Sequence, residues 1–66
     1  MKLIINGEPR ELPGVRTVPE VVEALGLAPQ MLLIEHNEQA LHRSEWEGRC
    51  LSDGDRLEIL RVAAGG

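Results

Sequence analysis

Phenylalanine and tyrosine are absent from these 66 residues, and tryptophan occurs once. The core must therefore be aliphatic. A single cysteine excludes an internal disulfide, the usual staple of small secreted scaffolds, and suits a reducing compartment. Long apolar runs are also missing. Met1-Lys2-Leu3-Ile4-Ile5 starts like a signal peptide but stops at Asn6-Gly7-Glu8, short of an h-region of about 7–15 residues. Nothing approaches the roughly 20 apolar residues of a membrane helix, so a cytoplasmic location and no membrane contact are expected. Positive charge is scarce: seven Lys and Arg stand against eleven Asp and Glu, for a net charge of −4. The basic residues are scattered, which argues against a nucleic-acid partner. An acidic domain of this kind suits a basic patch on a protein partner. The length supports one domain, residues 1–66, that buries only about 60% of its unfolded surface. A self-contained active-site pocket of about 300–1,000 Å³ is not expected in so small a chain.

What is present reads in order. Lys2 to Asn6 forms an aliphatic strand, with Leu3 and Ile5 on one face and Ile4 on the other. Asn6-Gly7 signals a tight hairpin, since both residues accept positive φ. Glu8 to Leu12 returns, and Pro9 within it places that strand at a sheet edge. Pro13-Gly14 turns the chain. Thr17 and Glu20 form a capping box, with Pro19 tolerated in the first turn. Val18, Val21, Val22 and Leu25 follow helical spacing, and Gly26 and Pro29 stop the helix. Met31 to His36 is a strand with Leu32 and Ile34 toward the core. Asn37-Glu38-Gln39 turns, and Ala40-Leu41 makes a short pairing. Ser44-Glu45-Trp46 forms one helical turn. Ser52-Asp53-Gly54-Asp55 leads into a last strand, Arg56 to Val62, with Leu57 and Ile59 inward. The class is α+β: a mixed sheet with one main helix across one face.

Ala63-Ala64-Gly65-Gly66 follows that strand without a side chain larger than a methyl group. Glycine is costly to order, so stability does not account for such a segment. Residues 63–66 read as a flexible tail, thin enough to thread a narrow channel and present the Gly66 carboxylate. An ordinary frayed terminus is the plain alternative.

The order of elements resembles the β-grasp fold of ubiquitin, and the ending resembles that of processed ubiquitin-like proteins. More narrowly, the chain is similar to the ThiS family of thiamine-biosynthesis sulfur carriers. The similarity is carried by Ile5-Asn6-Gly7, by Thr17-Val18 with Leu25, and by Glu35-His36-Asn37-Glu38 running on to Arg43-Ser44-Glu45-Trp46. Asp53-Gly54-Asp55 and the strand ending in Ala64-Gly65-Gly66 complete it. His42 stands where the family often has proline, and Ala40-Leu41 is less β-branched than usual.

The resemblance implies adjacent, parallel first and last strands. It also implies a carrier rather than an enzyme, with no bound cofactor. An adenylating enzyme of the ubiquitin-activating type would use ATP and Mg to activate the Gly66 carboxylate. Sulfur from a persulfide donor would then displace AMP to leave a thiocarboxylate, and thiazole synthase would take that sulfur. Ala63, Ala64, Gly65 and Gly66 would enter the partner active sites. Ile4, Leu60 and Val62, on the face opposite Leu57 and Ile59, would form the docking surface. Outer-face aliphatics are otherwise simply good strand formers. The small subunit of molybdopterin synthase, a ubiquitin-like protein modifier and a plain interaction module are the competing readings.

Other candidates carry less. Cys50 has no evident partner base and reads as a small packing residue. His36 and His42 with Glu35 and Glu38 fit no common zinc spacing, so no metal site is expected. Asp53 and Asp55 flank a glycine and read as turn chemistry. Trp46 reads as a lid at the edge of the core, its N–H reaching water or backbone.

Overall fold

The computed structural model describes residues 1–62. β1 (Lys2–Ile5) and β2 (Glu8–Glu11) form the hairpin. Asn6 and Gly7 both take positive φ, 51° and 83°, at its turn. The helix α1 spans Val18–Ala24, and a 3₁₀ turn at Pro29–Met31 leads into β3 (Leu32–His36). β4 (Gln39–Leu41), a second 3₁₀ turn at Arg43–Glu45 and β5 (Arg56–Arg61) complete the elements among the described residues. The strands are ordered β2-β1-β5-β3-β4, with β1 and β5 parallel and the other pairs antiparallel. This is the expected mixed β-grasp sheet. Pro9 lies on its edge strand, where a missing N–H breaks no ladder.

Local chemistry explains the short helix. Glu20 accepts hydrogen bonds from the main-chain N–H groups of Arg16 and Thr17 at 2.7 and 3.1 Å, which closes the helix start. Those bonds, that from Arg16 foremost, hold the Glu20 carboxyl below its ordinary pKa. Gly26, at φ +70°, ends the helix in the left-handed region. A helix of seven residues does not persist alone, so burial must hold it. Val18, Val21 and Val22 supply that burial against Leu3 and Leu57, and all five are essentially fully buried. Each contributes on the order of 1.5–3 kcal/mol.

The core also includes Val15, Leu41 and Leu51, which no periodic pattern marked. They sit in short or irregular segments, where two or three residues cannot display a period.

Candidate functional site

β5 is the central strand, and it leads directly to residues 63–66. The expected tail, Ala63 to Gly66, lies outside the described residues. Leu57 and Ile59 face the helix and are buried. The alternation turns Leu60 and Val62 to the opposite face, where they are 59% and 37% exposed. Leu33, 57% exposed, stands directly opposite Leu60 on β3. Leu33, Leu60 and Val62 thus form an aliphatic patch at the end of β5 nearest the tail. Leu33 was readable: if Leu32 and Ile34 face inward, Leu33 must face outward.

Ile4 shares this face but not this place. It pairs with Arg56 and Pro9, four residues back along β5 from Leu60, on the order of 13 Å away. Only the β1–β5 register reveals that separation. Between the two sites, Glu35 and Glu58 stand opposite each other and exposed. A cross-strand pair of like charges costs stability. The patch therefore has an acidic border, which suits a basic partner.

Asn6 governs how β5 leaves the hairpin. Its N–H donates to the Leu57 carbonyl at 2.9 Å. Its side chain then treats Ile59 as a neighbouring strand would. The Asn6 Oδ1 accepts from the Ile59 N–H at 2.7 Å, and the Nδ2 donates to the Ile59 carbonyl at 3.1 Å. One side chain so extends the pairing of β1 past the point where β1 turns away.

The other end of β5 is held by side chains as well. Asp55 Oδ2 lies 2.7 Å from His36 Nε2 and accepts the Ser52 N–H at 2.9 Å. Its Oδ1 accepts from Asn37 Nδ2 at 3.2 Å, while Asn37 Oδ1 accepts the Arg56 N–H at 2.8 Å. Burial works to raise the Asp55 pKa, but the bonds from His36, Ser52 and Asn37 outweigh it and hold the carboxyl below its ordinary value. His36 is a buried structural partner of Asp55, a pairing across 19 positions that local sequence does not show. Asp53 accepts the Lys2 N–H at 2.9 Å, so both aspartates organise the turn.

The remaining candidates fall apart in space. Cys50 is exposed, which corrects its reading as a packing residue; Leu51 takes the core position, and Cys50 bridges by main chain to Thr17. His42 opens the second 3₁₀ turn on the surface, and Glu35 and Glu38 are exposed. No group of three or more metal-ligating side chains converges among the described residues. No helix among them is long and apolar enough to cross a membrane.

Trp46 is 2% exposed and belongs to the core, not its edge. Its Nε1 makes no hydrogen bond to backbone or side chain among the described residues. The Arg43 guanidinium lies over its ring at 4.7 Å. Concavity also exceeds expectation. A surface groove of about 370 Å³ runs between α1 and Trp46, and a second of about 330 Å³ lies beside Asn6, Arg10 and Arg61. The first is bounded by α1, the loop after it and the second 3₁₀ turn, and the second lies where that loop leaves parts of β1, β3 and β5 uncovered.

Comparison with known proteins adds the following. The ThiS family model matches residues 3–66. The sulfur carrier protein ThiS of Thermus thermophilus is 39% identical over 62 residues, covering 94% of this chain and 95% of that protein. The crystal structure of a thiamine biosynthesis protein (ThiS) from Geobacter metallireducens superposes with a TM-score of 0.84 at 32% identity, over 100% of both chains. A thiazole synthase of Paramagnetospirillum magneticum is 35% identical over all 66 residues, yet the chain spans only 20% of that protein's length.

Proposed function

The chain belongs to the ThiS family of sulfur carriers in thiamine biosynthesis, and from that premise we propose that its Gly66 carboxylate is adenylated and converted to a thiocarboxylate. The chemistry needs activation because a carboxylate is resonance-stabilised and offers a poor leaving group. An adenylating enzyme of the ubiquitin-activating type uses ATP and Mg to form the acyl-adenylate. The outer sulfur of a persulfide donor then attacks the acyl carbon and displaces AMP. A second thiol cleaves the resulting acyl disulfide, releasing the thiocarboxylate and leaving the two thiols joined as a disulfide. The carrier contributes a grip and a tip. The grip is the patch of Leu33, Leu60 and Val62 with its border of Glu35 and Glu58. The tip is Ala63-Ala64-Gly65-Gly66, which passes through a channel shaped around backbone.

The observation that carries this reading is the family match running to Gly66 itself. Thiazole synthase is the proposed acceptor, in preference to molybdopterin synthase. Two thiazole synthases contain a stretch similar to this whole chain, which makes up 20% of each. Joining a carrier to its acceptor raises their effective concentration for each other.

The test is ATP–pyrophosphate exchange with the cognate adenylating enzyme. A residue added after Gly66 removes the terminal carboxylate and is expected to abolish exchange. Gly65→Ala restricts φ and adds a methyl group, and is expected to lower the rate at least about tenfold, because near-attack placement within roughly 3–3.5 Å is lost. Thermal melts of both variants should overlay the parent. Normal exchange by the extended protein would refute the carrier reading. Intact mass of protein from its native host, showing one oxygen replaced by sulfur, would identify the thiocarboxylate directly.

A further inference from the structure

Along β5 the main-chain groups alternate in direction. The Val62 N–H donates to the Met31 carbonyl at 2.7 Å, and the Arg56 carbonyl accepts the Asn37 N–H at 2.9 Å, so even-numbered residues bond toward β3. Asp55, Leu57 and Ile59 bond toward β1, the last through the Asn6 side chain. Arg61 is next in that series, so its N–H and C=O point to the β1 side. β1 ends at Ile5 and the chain turns away at Asn6-Gly7, so no strand among the described residues stands opposite Arg61 there. The second groove opens at this place. Ile5, Leu32 and Ile59 form its floor, Leu25 and Leu27 one wall, and Arg10 and Arg61 its rim. Neither arginine has a carboxylate within ion-pair distance among the described residues, in a protein whose net charge is −4.

An unfilled pairing position and an apolar floor lie beside the exit of β5. The groove is bordered by one guanidinium group on β5 and another on β2, which the register sets on the order of 20 Å apart along the sheet. We propose that this groove receives an extended, acidic segment of a partner protein, which pairs with the main chain of Arg61 and sets one carboxylate against Arg61 and another against Arg10 further along the groove. Strand addition supplies hydrogen bonds that any sequence can make, and the two cations select for acidity. This surface is distinct from the leucine patch, which lies on the other face of the sheet. Assigning the segment to the enzyme that takes the tail rests on the carrier reading; the groove's chemistry does not.

The first measurement therefore uses no enzyme. Isotope-labelled full-length protein is titrated with a short blocked peptide alternating valine and glutamate, and with its valine–lysine counterpart. The acidic peptide should shift the amides of Asn6, Arg10, Leu27 and Arg61 and slow solvent exchange at the Arg61 N–H. Arg10→Glu with Arg61→Glu should abolish both effects while the melt is unchanged. Equal binding of the lysine peptide, shifts confined to Leu33 and Leu60, or the same shifts on concentrating the protein alone would each overturn the proposal, the last assigning the groove to a second copy. The second measurement is pyrophosphate exchange. The double variant should raise the half-saturating carrier concentration at least about tenfold, the equivalent of roughly 1.4 kcal/mol. If it does not, while peptide binding is lost, the assignment to this enzyme is wrong. If the parent itself supports no exchange, the carrier reading fails and the peptide result still decides the groove.

Discussion

The two ends of β5 differ in how they are held. At the Asp55 end a carboxylate, an imidazole and an amide interlock the turn with β3, and every contact is internal. At the Arg61 end β3 pairs alone, the last contact toward β1 is lent by Asn6, and leucines face outward. Among the described residues, one end is closed by internal contacts and the other keeps open positions. On the proposed function, the difference separates residues that hold the fold from residues that serve a partner, and substitutions can test the division.

Asp55→Ala carries the largest expected cost. It removes the acceptor for Ser52 and Asn37 and leaves the buried His36 without its partner, for about 2–3 kcal/mol. Total stability at this length is only on the order of 3–10 kcal/mol, so the melt should move visibly. The sign with pH follows from the depressed carboxyl pKa. The contribution is complete above the unfolded value of about 3.9 and drains away as pH falls through the lower folded value. Parent and variant should therefore converge in stability at strongly acid pH. A constant gap down to that pH would mean that the aspartate's charge is irrelevant.

Asn6→Ala should cost less, about 1 kcal/mol or slightly more, through the two bonds to Ile59 and the positive φ. Asn6→Gly sharpens the point, because it keeps the backbone conformation and removes only the bonds. Both should speed amide exchange at Ile59 and leave Arg56 unaffected. If exchange rises equally along β5, the two ends are not separate.

Leu60→Asp should have the smallest effect on the fold, within roughly 0.5 kcal/mol, since the side chain is 59% exposed. Its effect on the adenylating enzyme is expected to be of another order, a loss of about 2 kcal/mol or more in binding by calorimetry. A variant that unfolds, or that binds unchanged, breaks the comparison at this end.

The elements with local signals were legible in the sequence. Thr17 and Glu20 marked the helix start, Asn6-Gly7 the hairpin, and Pro9 the edge. The alternation around Leu57 assigned both faces of β5. What escaped depends on partners distant in the chain. The role of His36 stayed hidden because its partner, Asp55, lies 19 positions away. Ile4 seemed to adjoin Leu60 because face is set by alternation, whereas position along the sheet is set by register. Cys50 was misjudged because an irregular segment has no period from which to infer burial. The Arg10–Arg61 groove needed the fold, since both hairpin arms, β3, β5 and the loop after α1 must meet to form it.

The sheet order has a mechanical consequence. β5 lies in the middle, bonded on one side to parallel β1 and on the other to antiparallel β3. Tension applied at the C-terminal end of β5 acts along the strand, while its main-chain hydrogen bonds lie across it. They are loaded in shear and share the force, instead of opening singly from one end. The same force on β4, an edge strand of three residues, would peel it bond by bond. A pull on the residues after β5 would therefore meet the shared resistance of two strand pairings before the sheet could open.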